Sequence, residues 1–303
     1  MASVIILSFN TKNITLRCLE YLFKSQSVDL EVIVVDNAST DGSADAIAKK
    51  FPQVKLITNK TNVGFAAGNN QGMKLAKGDL ILLLNSDCFV EPNTLSSIIS
   101  HLSSTSFDVI GCKLLNSDGS IQPSWGYFPT LPRITLLMSF IDNFPIIKTF
   151  VHSIHVRDIS RYAQSQEVDW VTGAFVMLKK EAFKKTGGID ENYFMYGEEM
   201  EWMYRIKKAG FKIGYVADAV ATHLGGASTK STSRMLASEF KGYLYWFSKH
   251  NPAWQLPILK LILLAGTLYK ALAWTILGGI LGKPSWARAN WETFKEIAKA
   301  VIE

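Results

Sequence analysis

Carboxylates set directly behind apolar runs are the side chains of this sequence best placed to do chemistry. Asp36 follows Val32-Ile33-Val34-Val35, and Asp87 closes Asn85-Ser86-Asp87 behind Leu80-Ile81-Leu82-Leu83-Leu84. In an open parallel sheet, ligands bind in the crevice at the carboxyl ends of the strands, so both carboxylates should enter it. A third run, residues 4–7, ends in Ser8-Phe9-Asn10. Asp87 could offer oxygen to a hard divalent cation. A further acidic group, Glu198-Glu199-Met200-Glu201, opens a helix-like stretch. Helical spacing sets Glu199 in line with Met203 and Ile206 on the apolar stripe, and Glu198 in line with Trp202 and Arg205, while Glu201 can pair with Arg205 at i,i+4. An inward-facing carboxylate there could take a proton as a general base. All three could equally complement the positive end of the helix dipole. His223 ends a strand-like run at 215–222 and gains meaning as a ligand only if it shares a site with Asp87.

Between these strands lies Asn62-Val63-Gly64-Phe65-Ala66-Ala67-Gly68-Asn69-Asn70-Gln71-Gly72, small and amide-rich at a helix start. Such a segment lets backbone approach a ligand and aims N–H groups at it. It is not a GxGxxG, and it lacks the strand-Gly-helix context of a dinucleotide site. The Asp41-Gly42 pair reads as a turn as readily as a functional loop, with Ser39 to Asp41 able to cap the next helix.

The elements that must hold these groups alternate. Apolar strands at 3–8, 31–35, 54–58 and 80–84 are separated by amphipathic stretches at 12–26, 43–51 and 65–77, the rhythm of a parallel sheet covered by helices. Three of those strands are apolar throughout, as expected when both faces of the sheet are covered. The pattern weakens over 116–166, with Pro123, Pro129, Pro132 and Pro145, and is expected to be a variable insertion or mobile segment. Order returns with 168–178, a helix at 180–186, a second from 198 to 209 and a strand at 213–222. Beyond Gly226 the chain turns helical and apolar, so the expected division is 1–228 for the sheet domain and 229–303 for a helical region.

The 303 residues are 48% hydrophobic and 19% charged, with a net charge of +6. That is an apolar balance for a soluble domain, and the mild positive excess suits a nucleoside diphosphate, an anionic lipid surface or nucleic acid, without choosing between them. Cys18, Cys88 and Cys112 are too far apart for a ligand motif or a disulfide framework, which fits a reducing, cytoplasmic compartment. The first residues run straight into an apolar strand with no basic region ahead of it, so no export signal is expected.

In order, these pieces resemble the family 2 glycosyltransferases with the GT-A fold, a Rossmann-like, mostly parallel α/β sheet flanked by helices. They are most similar to the rhamnosyltransferase-like bacterial branch that builds cell-surface polysaccharides. The resemblance covers residues 3–228 and rests on Val34 to Gly42, Asn62 to Asn70, Asn85-Ser86-Asp87, Gly173-Ala174, Gly187-Gly188-Ile189-Asp190-Glu191, Tyr196 to Glu201 and His223. It implies an inverting, metal-dependent hexosyltransferase that uses a dTDP- or UDP-sugar, rhamnose first, and a lipid-linked or polysaccharide acceptor, with no nucleic-acid partner. By the same resemblance, Asp36 holds the base or ribose. Ser8, Asn10, Asn62, Gly64, Phe65, Gly68, Asn69, Asn85 and Ser86 line the donor pocket, and Gly173 and Ala174 lie on the acceptor side. Asp87 and His223 hold Mg²⁺ or Mn²⁺, and Glu199 or Glu198 is the catalytic base. The sequence departs from the family pattern by Asn85 at a position commonly Asp, and by Glu199 where Asp is usual. A catalytically silent nucleotide-sugar or glycan-binding scaffold in a membrane assembly is the alternative.

The apolar surplus collects at 256–281, where Lys260 and Lys270 interrupt what would otherwise be a simple spanning helix. One or two amphipathic helices in the interface of an anionic membrane are expected, on the cytoplasmic side, with Trp274, Trp286 and Trp291 near the headgroups. A helical pair packed on the catalytic domain or on a second subunit, and a tilted span with snorkelling lysines, are the competing arrangements.

Overall fold

The computed structural model describes residues 1–25, 28–139, 152–193, 195–225 and 232–302. The centre of the 116–166 segment and the expected boundary at 228 lie outside these residues. The chain forms two compact units, one of Met1–Gly126, Asp158–Phe194 and Glu198–Ser228, the other of Tyr127–Arg157, Met195–Gly197 and Thr229–Glu303.

The first unit begins β1 (Ala2–Ser8), α1 (Lys12–Phe23), β2 (Leu30–Asp36), α2 (Ser43–Lys50), β3 (Lys55–Thr58), α3 (Gly64–Leu75) and β4 (Leu80–Asn85). It continues with β5 (Cys88–Val90), α4 (Thr94–Ser104), β6 (Val109–Leu115), β7 (Ile121–Gln122) and β8 (Trp125–Gly126). After α5 (Leu131–Ser139), which belongs to the second unit, come β9 (Gln166–Glu167), β10 (Trp170–Val171), β11 (Phe175–Lys179), α6 (Lys180–Thr186), α7 (Glu198–Lys208) and β12 (Ile213–His223). The sheet runs β3-β2-β1-β4-β11-β6-β12-β5. β1 pairs in parallel with β2 and β4, and β2 with β3. The all-apolar stretches of β1, β2 and β4 are buried because α1, α3 and α4 cover both faces; Val4, Ile5, Ile33, Val34 and Ile81 have no exposure.

Two features go beyond the sequence-based expectation. Helix α4 and strand β6 carry core residues Leu95, Ile98, Leu102 and Ile110 although no element was assigned there from sequence. Strand β11 enters antiparallel between β4 and β6. That reversal delivers the amino end of β11 to the carboxyl end of β4, where Phe175 pairs with Leu84, so the residues just before β11 reach the crevice.

In the second unit, α8 (Thr232–His250), α9 (Gln255–Ile280) and α10 (Pro284–Ile302) gather with α5 and its flanks. The segment expected as an insertion thus gives Tyr127–Arg157 to this helical unit, where Phe128 stacks on Trp246 at 5.7 Å. α9 is a single helix; Pro257 sits in its first turn, where the missing N–H has no intrahelical partner to lose.

Candidate active site

Register places the ends of three strands side by side. Ser8 on β1 pairs with Asp36 on β2, and Leu7 pairs with Asn85 on β4, so Asp36 and Asn85 lie two strand spacings apart, about 10 Å. The chain turns sharply after two of these strands. Asn10 and Ala38 both take left-handed backbone, at φ 53° and 65°, a conformation that non-glycine residues hold only when the surroundings enforce it. What enforces it is a lattice of short bonds: Asn10 N–H donates to Ser39 Oγ at 2.9 Å, and Thr40 N–H donates to Asn10 Oδ1 at 2.8 Å. Asn10 therefore shapes the loop beside the crevice.

Asp36 is 2% exposed, and Ser39 N–H donates to its Oδ1 at 2.8 Å. Its Oδ2 is buried without a hydrogen-bond partner. A buried carboxylate oxygen left unpaired costs about 1–3 kcal/mol or more, which a ligand N–H or O–H would relieve. Its neighbour Asn37 was not picked out from the sequence, yet it is the hub of the loop. Its Oδ1 accepts from Asn59 Nδ2 at 2.8 Å, and its Nδ2 donates to Asn62 Oδ1 at 3.0 Å and to Gly64 O at 3.1 Å. Asn62 in turn accepts from Gly64 N–H at 2.9 Å. The N–H expected to face a ligand at this helix start is already used, and Asn62 and Gly64 build the loop.

Gly68 and Asn69, also expected in the donor pocket, have structural contacts of their own. A Cβ at Gly68 would collide with Leu7, so this glycine lets α3 lie close on β1. Asn69 is buried and donates to Phe65 O at 3.0 Å within its own helix. Asp41 resolves as a connector: it accepts from Lys12 N–H at 2.9 Å and Ser43 N–H at 3.0 Å. Partial burial works against its charge, but the Ser43 and Lys12 donors hold its carboxyl below the usual aspartate range.

The second cluster forms because β5 and β12 pair antiparallel with Cys88 opposite His223, which carries the imidazole to the residue before β5, Asp87. His223 Nε2 lies 3.2 Å from Asp87 Oδ1 and 3.5 Å from Asn85 Nδ2. On the far side of the ring, Nδ1 donates to Gln122 Oε1 at 2.7 Å. Gln122 is itself fixed, since its Nε2 donates to Asn116 Oδ1 at 2.9 Å. That chain fixes the ring's orientation and turns Nε2 toward Asp87. Gln122 escaped the sequence reading because it sits in the aperiodic stretch after residue 116; no periodicity marks it. Ser86 is buried and within 3.4 Å of Thr11 Oγ1, part of a hydroxyl cluster with Thr15 and Ser8 beneath the strand ends.

Asn85 N–H donates to Ala174 O at 3.0 Å, which joins this cluster to the residues preceding β11. A Cβ on Gly173 would lie 3.1 Å from Phe65 Cζ and 3.8 Å from Glu199 Cβ. Gly173 is therefore the point where the α3 loop and the first turn of α7 come together. The helical-wheel expectation for α7 needs correction. Glu198 and Glu201 are the buried carboxylates, at 4% and 0% exposure, and Glu199 is half-buried. α7 is enclosed on more than one side, by β10 and α6, so a single apolar stripe does not describe it. Glu201 is paired with Arg205 Nε at 2.9 Å, and the same guanidinium holds Thr186 O at 2.6 Å and Gly188 O at 2.7 Å. Glu201 is thus structural, and Glu199 is the α7 carboxylate that lies beside Gly173.

The three cysteines are free and buried, and burial pushes their thiols far up. They are inert packing groups. Among the described residues, no cluster of three or more His, Cys, Asp or Glu side chains could by itself cage a metal ion.

The sequence matches the family described as glycosyl transferase family 2 over residues 3–187. It is 26% identical, over 76% of its length and 78% of the relative's, to N-acetylglucosaminyl-diphospho-decaprenol L-rhamnosyltransferase of Mycobacterium tuberculosis. It is 23% identical, over 76% of its length and 86% of the relative's, to rhamnosyltransferase WbbL of Escherichia coli. Among solved structures, the mannosyltransferase PcManGT of Pyrobaculum calidifontis, in complex with GDP-Man and Mn²⁺, superposes with a TM-score of 0.60 at 16% identity, over 99% of this chain and 86% of the other. Residues 1–349 of S. aureus TarS, in complex with UDP, superpose with a TM-score of 0.54 at 16% identity, over 99% and 90%.

Proposed function

The chain belongs to glycosyl transferase family 2 and has the GT-A fold, and on that premise we propose that it moves L-rhamnose from a dTDP- or UDP-activated donor to a hydroxyl of a lipid-linked or polysaccharide acceptor, with inversion. The rhamnose assignment draws on the distant rhamnosyltransferase relatives. The observation that carries the reading is the unpartnered, buried Oδ2 of Asp36 at the end of β2. A nucleobase N–H or a ribose hydroxyl is the donor that such an oxygen accepts, and charge makes that bond stronger than a neutral one.

The donor set at Asp87 and His223 fits a divalent cation. Two atoms each about 2.1 Å from one octahedral ion stand about 3.0 Å apart, close to the 3.2 Å between Asp87 Oδ1 and His223 Nε2. With one carboxylate and one imidazole, the protein supplies a partial shell that the two phosphates of a nucleoside diphosphate would complete. Bound there, Mg²⁺ or Mn²⁺ would neutralise charge gathering on the departing diphosphate. Gln122 holds the imidazole in the ligating tautomer, and Asn85 contributes amide polarity where a second carboxylate would have raised affinity. Glu199, beside Gly173 and Phe65, takes the proton of the acceptor hydroxyl as it attacks the anomeric carbon. Glu198 is one residue away and more buried. Phe65 and the α3 loop close the donor side.

Calorimetric titration with dTDP, UDP and GDP, each with and without Mn²⁺, tests this. Metal-dependent binding of one nucleotide that is lost in Asp87→Ala is expected. A folded protein that binds none of the three with metal present would remove the transferase reading and favour a silent scaffold.

A further inference from the structure

Helix α9 presents two opposite faces. Leu259, Leu263 and Ala271 have no exposure, and Thr267 is buried. Gly266 brings α5 onto the backbone itself, since a Cβ there would lie 2.5 Å from Met138 Cβ. On the other side, Ile258, Leu261, Leu268, Leu272, Ile276 and Ile280 are exposed by 41%, 67%, 38%, 48%, 66% and 75%. Their spacing of three, four and seven residues makes one continuous stripe along a helix about 39 Å long. No acidic residue occurs anywhere in α9. Such a stripe on one helix exceeds the scattered apolar exposure normal to a soluble surface.

α9 is long and apolar enough to cross a membrane by length and composition, but its neighbour argues against that. α10 folds back along α9 after Gly282, and the two are pinned by Trp274 against Trp286 at 5.2 Å and by Trp291 Nε1–H donating to Thr275 Oγ1 at 3.0 Å. α10 buries Ile297, Ala300 and Val301, while Arg288, Glu292, Lys295, Glu296 and Lys299 are exposed. If α9 spanned the hydrocarbon, α10 would carry that charged face to the same depth. A hairpin lying flat has no such conflict. Residues 255–302 hold six Lys or Arg and two Glu, a net charge of +4. That excess is drawn to anionic headgroups and sets a second copy of the same face at a disadvantage.

We propose that the α9–α10 hairpin lies in the plane of an anionic bilayer surface, the Ile258–Ile280 stripe of α9 sunk to the acyl boundary and the charged face of α10 turned to headgroups and water. The partner is thus a lipid surface, whichever sugar the enzyme transfers.

Flotation of the full chain with phosphatidylcholine vesicles, with and without phosphatidylglycerol, provides the test. The protein should float with the anionic vesicles, float weakly with the neutral ones, and be released by high salt or alkaline carbonate. Leu261→Glu combined with Ile276→Glu, both on the exposed face, should lower vesicle binding at least tenfold with an unchanged circular dichroism spectrum. Lys283→Glu with Arg288→Glu should erase the preference for anionic lipid while leaving the stripe intact. Retention after carbonate, which marks a span, or concentration-dependent dimers indifferent to vesicles would overturn the proposal. Nucleotide titration of the same variants keeps this outcome separate, because a lost lipid surface leaves donor binding unchanged.

Discussion

Gln122 Oε1 accepts the Nδ1 proton of His223 at 2.7 Å, and the other ring nitrogen thereby faces Asp87 at 3.2 Å. An acceptor at Nδ1 favours the tautomer whose Nε2 can bind a cation. Gln122→Leu, similar in size but unable to accept, should weaken Mn²⁺-dependent nucleotide binding about 10- to 100-fold. Gln122→Glu keeps the acceptor and should retain most of it. Calorimetry at fixed nucleotide and varied Mn²⁺ separates the two; equal losses in both variants would mean that Gln122 acts only through packing.

The buried Oδ2 of Asp36 makes a second prediction. Asp36→Asn preserves shape but removes the charge and turns part of the group into a donor. Loss of a charge-assisted bond is worth about 1.5–3 kcal/mol, so nucleotide affinity should fall roughly 10- to 150-fold. Thermal stability should hold or rise, because the native carboxylate leaves an oxygen unpaired. A variant that binds nucleotide like the parent would place the base or ribose elsewhere.

These two sites were legible in the sequence to different degrees. Asp36 and Asp87 stand behind apolar strands, and a parallel sheet sends such residues to one edge whatever else happens, so composition and order sufficed. His223 was a ligand candidate by the family resemblance alone; what brings it to Asp87 is β5 pairing with β12, a contact across more than a hundred residues of sequence that no local pattern encodes. Gly173, likewise named by the resemblance, reaches the crevice through the reversal of β11. Gln122 and Asn37 act by hydrogen-bond geometry, which has no periodicity to reveal it. At Gly68 the sequence could not show the packing requirement, because a small residue in an amide-rich loop suits ligand approach and close helix packing equally; its contact with Leu7 shows the second.

Glu199 and Glu198 can be told apart kinetically. Glu199→Gln should lower kcat about a hundred- to ten-thousand-fold, the range for loss of a general base, with nucleotide affinity unchanged. Glu198→Gln should act mainly on thermal stability, since the side chain is buried at the start of α7. Transfer assays at saturating donor, paired with melting curves, read both effects. The reverse pattern would assign the base to Glu198.

Arg205 joins α7 to the Gly187-Gly188 turn through Thr186 O and Gly188 O while neutralising the buried Glu201. Arg205→Met removes the guanidinium and strands a buried carboxylate, a change that costs about 3 kcal/mol or more. At roughly 2–4 °C per kcal/mol for a domain of this size, Tm should fall by about 6–12 °C. Arg205→Met combined with Glu201→Met should recover much of that, because the uncompensated charge goes with its partner. Equal melting temperatures for the single and double variants would mean that the two carbonyl contacts carry the effect.

In the helical unit, Glu239 Oε1 meets His155 Nε2 at 3.1 Å and accepts from the Tyr243 hydroxyl. Burial works against its charge, yet His155, Tyr243 and Arg157 together hold its carboxyl below the ordinary glutamate range. Because the folded value lies below the unfolded one, about 4.3, the ionised group adds stability at pH above about 4.3 and loses it as pH falls through the folded value. Glu239→Gln keeps the shape and a hydrogen bond but cannot ionise. Its Tm should lie below that of the parent near pH 5, where the carboxylate is ionised, and the margin should close as pH falls below about 4.3 through the folded value. A margin that stays constant to the acid end would show that the carboxylate is not held in its charged form by these neighbours, and that the contact contributes through shape alone.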